Sequence, residues 1–142
     1  MYKKVLIPVD LAHESQLKDL IEAACDLSSG DTEVRFDFLY VDDSGIHQVG
    51  SPFIEPERDK LRRQETQESL VKLAASLMPV TLEYDCHVRW GIVHEQVLEE
   101  AKQFNADIII MMASKPGLSS YFIGSNADRI LRHSQCSVMV LK

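Results

Sequence analysis

Apolar residues recur along the chain in two alternating patterns, short runs and stripes at helical spacing. Residues 3–10 (KKVLIPVD) form an apolar run closed by Pro8 and Asp10, as a strand covered on both faces requires. Pro8 is tolerated only near a strand end, because it has no N–H to give a ladder. Over 13–27, Leu17, Leu20, Ile21, Ala24 and Leu27 repeat at helical spacing, and Ser28-Ser29-Gly30 supplies the stop. A second buried strand is expected over 34–41, where Val34, Phe36, Phe38, Leu39, Tyr40 and Val41 precede Asp42 and Asp43. Residues 44–56 carry two Gly and two Pro without a period and read as a loop. The charged stretch 56–77, with Leu61, Leu70, Leu73, Ala74 and Leu77 as its apolar positions, predicts a long surface helix ended by Pro79.

Alternation is strict over 80–90: Val80, Leu82, Tyr84, Cys86, Val88 and Trp90 share one face, while Thr81, Glu83, Asp85, His87 and Arg89 share the other. That marks a strand with one wet face, at the sheet edge. Gly91 turns the chain, and Val93, Val97, Leu98, Ala101 and Phe104 give a third helix. The driest strand, 108–112, follows, then a polar loop, a helix over 125–132 and a last short strand over 137–141 (SVMVL). The order β-α-β-α-β-α-β-α-β implies an α/β domain spanning 1–142, with parallel strands and right-handed crossovers. Ligands in such open sheets sit beyond the carboxyl ends of the strands, where the strand order reverses. Asp10, Val41 and Ala113 all fall at such ends.

Composition narrows the class. A chain of 142 residues that is 45% hydrophobic and 26% charged supports one core without a metal or disulfide staple. No apolar run approaches the ~20 residues that span a bilayer, and the run at 5–9 is too short for a signal peptide, so a cytoplasmic protein with no membrane partner is expected. Net charge is −7, from 22 acidic and 15 basic residues, which argues against nucleic acid as a partner and leaves any anionic ligand dependent on local donors. Cys25, Cys86 and Cys136 lie far apart with no zinc-ligand spacing and are read as small core residues. Trp90 and Met111 are also assigned to the core.

The stretch 107–133 carries the candidate chemistry. An apolar run stops in a loop holding Lys115, Pro116, Gly117, Ser119 and Ser120, and Gly124-Ser125-Asn126 then opens an amphipathic helix. Unpaired N–H groups at a helix start carry roughly half a positive charge, and Gly124 has no Cβ to hold a phosphate oxygen away. The same residues admit a second reading, because Ser125 with Asp128 three positions on resembles a capping box that needs no ligand. Asp10 likewise suits an N-cap of the first helix. Arg129 and Arg132 suit a solvated face, and His133 a helix C-terminus. No Walker A, HExxH, GxSxG or kinase signature is present, and no carboxylate cluster for Mg²⁺ is evident, so no dedicated catalysis is expected.

KKVLIPVD, HVRWG, ADIIIM and GSNADRILRHSQCSVMVLK together resemble the universal stress protein family over nearly the whole chain, with closest likeness to its small enterobacterial F and G types. The resemblance implies a Rossmann-like, adenine nucleotide alpha hydrolase-like fold, an open five-stranded parallel sheet of order 3-2-1-4-5 with helices on both faces. It also implies an ATP-binding stress-response protein, with or without Mg²⁺ and at most slowly hydrolytic, that forms a homodimer or tetramer through the last strand. The family motif is G-x2-G-x9-G-S/T. Ala113 stands at its first glycine, Pro116 at its second and Gly124-Ser125 at its close, with only residues 117–123 between Pro116 and Gly124. Carried over by position, Pro8, Val9 and Asp10 line the adenine and ribose, Val41 packs on the adenine, and Met112 and Ala113 floor the ribose. Gly124, Ser125 and Asn126 give donors to the phosphates. Lys115 adds charge by inference from its place in the loop, and occupancy would act through residues 114–123 on a partner surface. The alternative is a non-nucleotide interaction protein resembling the A-type members, favoured by Pro116, the short loop and Asp128.

Overall fold

Strands β1 (Lys4–Pro8), β2 (Arg35–Asp42), β3 (Glu83–Trp90), β4 (Ile108–Met112) and β5 (Ser137–Leu141) alternate with helices α1 (Glu14–Leu27), α2 (Pro56–Leu77), α3 (Val93–Phe104) and α4 (Ser125–His133). The computed structural model describes residues 2–28, 33–46, 56–113 and 124–142. All strand pairs are parallel and the sheet order is β3-β2-β1-β4-β5, as expected. Among the described residues no helix is long and apolar enough to cross a membrane.

Both sheet faces are covered, which is why the central strands read as continuous apolar runs. Val5, Ile7, Phe36, Phe38, Ile108 and Ile110 face α1 and α2, meeting Leu17, Leu20, Ile21, Ala24, Leu70 and Ala74. On the opposite pleat Leu6, Leu39, Ile109 and Met111 meet Val97 of α3 with Ala127 and Ile130 of α4. Phe36 and Phe38 are fully buried with their rings 6.2 Å apart, and truncating either costs about 3–5 kcal/mol on the usual scale for core aromatics.

The ladders are unequal. β2 pairs with β3 from Arg35↔Glu83 to Asp42↔Trp90, and β4 with β5 from Ile108↔Ser137 to Met112↔Leu141. β1 and β4, by contrast, pair only at Val5↔Ile108 and Leu6↔Ile109. The base of this pair is tied by Asp107, whose N–H donates to the Lys4 carbonyl at 2.8 Å and whose Oδ2 accepts the N–H groups of Lys3 and Lys4 at 2.9 Å each. Lys3 and Val9 bond to β2, through Arg35 N to Lys3 O and Val9 N to Leu39 O, both at 2.8 Å. Odd residues of β1 therefore face β2 and even ones face β4. Pro8 faces β4 without an N–H, so the ladder stops there and the strands separate.

Three expectations are corrected. β3 starts at Glu83 rather than at residue 80, because Leu82 N–H closes a turn onto the Pro79 carbonyl (3.2 Å) and leaves Val80 fully exposed. Trp90 lies outside the core, half-buried under the Arg63 guanidinium, which sits 4.2 Å from its ring centre. The three free cysteines are also only half-buried, at the margins of the two apolar clusters. The turn after β3 does require Gly91, whose φ of 139° is closed to residues with a Cβ.

The carboxyl end of β2 is fixed by Asp42, a buried carboxylate whose Oδ1 accepts the Ser44 N–H (2.9 Å) and whose Oδ2 lies 3.1 Å from Arg62, while its carbonyl accepts the Gly91 N–H (3.2 Å). Burial alone pushes its pKa up, but the bonds from Ser44, the Arg62 charge and the Trp90 ring together outweigh it and hold Asp42 below its ordinary 3.8. A depressed carboxylate contributes stability that is present above the unfolded value and lost as pH falls through the folded one. Asp42→Asn is therefore expected to cost about 1–3 kcal/mol in denaturant melts at pH 7. The difference from the parent should shrink below pH 3.8, and an unchanged gap at pH 2 would contradict this account.

Candidate functional site

Where β1 and β4 part, a crevice of about 630 Å³ opens at the carboxyl ends of the strands. This is the point at which the strand order reverses, the general ligand position in open α/β sheets. One wall is the end of β1 with Leu17, Leu20 and Gln16 of α1; another is Leu39, Tyr40, Val41 and Asp43 at the end of β2. Val93 and Val97 of α3 with Met111, Met112 and Ala113 close the far side, and Gly124, Ser125, Asn126 and Ala127 bring in the start of α4. Volume and mixed lining both fall in the usual range for small-ligand sites.

Nine of the residues singled out from the sequence meet here: Pro8, Val9, Asp10, Val41, Met112, Ala113, Gly124, Ser125 and Asn126. Lys115, like Pro116 and the rest of the segment 114–123, lies outside the described residues. Val9 is held by its N–H bond to Leu39, and Val41 by its neighbour Asp42, so the apolar slot rests on β1 and the end of β2.

The start of α4 is tied to the sheet by a hydrogen bond. Gly124 N–H donates to the Ala113 carbonyl at 2.7 Å, and Ala113 N–H donates to Leu141 at 2.7 Å, so the start of α4 is fastened to the ends of β4 and β5. Gly124 was expected to give its N–H to an anion, and it does not, because that donor is already committed. Nor does its backbone demand glycine, since φ is −58°. Gly124 is instead the N-cap, and its carbonyl accepts the first helical bond from Asp128 at 3.0 Å. The N–H groups of Ser125, Asn126 and Ala127 are thus the ones with no acceptor inside the helix, and Ser125 and Asn126 are exposed at the mouth.

This register also removes the capping box. Ser125 occupies the first helical position rather than the cap, and Asp128 reaches along the helix to Arg132, with Nε 3.1 Å from each carboxylate oxygen. An Asp128 so paired competes less for the positive field at the helix start than the sequence suggests.

Asp10 does not cap α1 either, because the N-cap is His13. Asp10 Oδ1 accepts the Ala12 N–H at 3.0 Å, and Oδ2 lies 2.8 Å from His13 Nδ1. Each carboxylate oxygen has a second lone pair, so Asp10 retains acceptor capacity toward the crevice. Neither the Asp10–His13 pair nor the place of Tyr40, Asp43 and Gln16 in the lining was marked in the sequence. Burial first, then the charges of Asp42, Asp10 and Asp43, push the Tyr40 hydroxyl upward, so it stays a protonated donor at neutral pH. Among the described lining residues no Lys, Arg or His is present. The donors that the described lining offers are backbone amides and hydroxyls.

The chain is similar to known proteins over its whole length. The chain is 28% identical over 155 residues to universal stress protein G of Shigella flexneri, covering 100% of both chains. The solved structure of hypothetical protein MJ0577 superposes with a TM-score of 0.76 at 25% identity, over 100% of this chain and 96% of that one. A universal stress protein of Archaeoglobus fulgidus, solved in complex with dAMP, shares the fold with a TM-score of 0.63 at 14% identity, over 99% and 98% of the two chains. The model of the universal stress protein family matches residues 1–142, and the chain belongs to that family.

Proposed function

We propose that the crevice binds an adenine nucleotide, with ATP the ligand to try first, and that the protein acts in stress response as a nucleotide-dependent interaction module. The observation that carries the reading is the joining of an apolar slot to an open helix start within one cavity, with the Asp10 carboxylate in the same lining. A flat base fits between Val9, Leu39 and Val41; ribose hydroxyls donate to Asp10; phosphate oxygens accept from Ser125, Asn126 and Ala127 at the start of α4. The related protein solved with dAMP supports the ligand class. Turnover is not part of the proposal.

One observation favours a second reading, in which the family fold serves protein contacts without nucleotide. The described lining offers no cationic side chain, carries Asp10 and Asp43, and has spent the Gly124 N–H on Ala113. Calorimetric titration of nucleotide-stripped protein with ATP, AMP and GTP, each with and without Mg²⁺, separates the two. Saturable ATP binding, at least ~10-fold tighter than GTP and weakened at least ~10-fold by Gly124→Val or Asp10→Ala, is the expected result. Absence of binding at millimolar ATP would leave the interaction-module reading in place.

We propose further that the chain self-associates through β5, an edge strand with half-buried Val138, Met139, Val140 and Leu141. Leu141 bonds to Ala113 through its carbonyl, so odd residues of β5 face β4, while the N–H and C=O groups of Val138 and Val140 point outward. Val140→Pro therefore removes an outward donor without taking a bond from the β4 ladder. Light scattering after size exclusion should give a dimer or tetramer for the parent and a folded monomer for this variant. A monomeric parent would sink the idea.

A further inference from the structure

We propose that Asp37, His87 and Glu100 form a site for one divalent first-row transition-metal ion, on the α3 side of the sheet and separate from the crevice. The three come from β2, β3 and α3, and none lines the crevice. One ligand atom from each lies within 4.8 Å of the other two. His87 Nδ1 stands 2.8 Å from Asp37 Oδ1 and 3.0 Å from Glu100 Oε2. Ligands about 2.0–2.1 Å from a tetrahedral ion stand roughly 3.3 Å apart, so each carboxylate oxygen has to draw back from the ring nitrogen by only a few tenths of an ångström.

Two buried carboxylates meet a single imidazole here. Asp37 is completely buried and Glu100 nearly so. An imidazole has a single proton on Nδ1, and that proton serves one carboxylate at a time. With it on Asp37 Oδ1, both Asp37 Oδ2 and Glu100 Oε2 are buried without a hydrogen-bond partner. Orphaned buried carboxylate oxygens are costly, and a cation in place of the shared proton satisfies both carboxylates together with the ring nitrogen.

Supporting residues hold the ligands. Arg89 Nε donates to Glu100 Oε1 at 3.1 Å, and its other nitrogens donate to Gln96 (3.2 Å) and Gln103 (2.7 Å), so the remaining oxygen of Glu100 is turned toward His87. His87 is half-exposed on its outer side, which leaves entry and a water position open. A set of one imidazole and two carboxylates selects zinc-like ions over Mg²⁺ and Ca²⁺, which take all-oxygen shells.

The test is titration of EDTA-treated, dialysed full-length protein with Zn²⁺ by calorimetry and with Co²⁺ by visible absorption, which reports coordination geometry. Expected is one ion per chain with Kd below about 10 µM, weakened at least ~10-fold in His87→Ala and in Glu100→Gln. Binding should be unchanged in His13→Ala, which removes the other His–Asp pair. Circular dichroism of each metal-free variant checks folding, and because His87 is half-exposed its variant keeps the test open if Glu100→Gln misfolds. No binding at 1 mM ion, a Co²⁺ spectrum matching the hexaaqua ion, or binding that survives His87→Ala would overturn the proposal and leave the cluster as a proton-sharing carboxyl pair.

Discussion

The separation of β1 from β4 is the constraint on which the rest of the molecule's chemistry depends. Two parallel strands at the centre of a sheet normally bond along their whole shared length, and their neighbours here do. The ladder between these two ends after Leu6 and Ile109 because the next residue of β1 that faces β4 is Pro8. Asp107 fastens the other end of the pair. A joint tied at its base and unlaced at its top opens in one direction only, toward the carboxyl ends. α1 follows β1 at that opening, and the start of α4 stands at its rim.

β2 carries two buried carboxylates that meet opposite fates. Asp42, at the strand end, gathers a backbone amide, a hydroxyl, a guanidinium and an indole N–H, and is held ionised. Asp37, at the strand centre, meets another carboxyl and one half-exposed histidine, and is pushed toward the neutral form. Burial is shared; the supply of donors differs. Asp42 is thereby a structural anchor for the slot beside Val41, and Asp37 is a carboxylate with unfilled bonding capacity.

Much of this was legible in the sequence, for reasons that can be named. Strands covered on both faces have to be apolar throughout, so β1, β2 and β4 announced themselves, and the spacing of Val93, Val97, Leu98, Ala101 and Phe104 marked α3 from end to end. The crevice residues were legible because ligand positions in a parallel sheet follow from topology, and family likeness supplied the strand order. What stayed hidden was three-dimensional pairing across elements. Asp37 sits in an imperfect apolar run, His87 on what reads as a solvent face and Glu100 in a charged helix, and only folding brings them together. Trp90 misled because aromatic character predicts burial but does not tell a core partner from Arg63. Hydrogen-bond commitments such as Gly124 to Ala113 leave no trace in composition either.

That last commitment has an electrostatic side. A chain of net charge −7 with Asp10 and Asp43 at the crevice opposes any anion approaching it, and no described lining side chain answers with positive charge. The counterweight is the start of α4, whose field falls off within the first turn and is therefore useful only if the helix is held in place. The bond from Gly124 to Ala113 does this, giving up one amide to aim the next three. Pairing Asp128 with Arg132 keeps the first-turn carboxylate from cancelling the same field. On the proposed reading, affinity then comes mainly from the base in its apolar slot, and the phosphates are oriented more than they are bound. Selection among ligands at this site would accordingly follow the shape of the base before the number of phosphates.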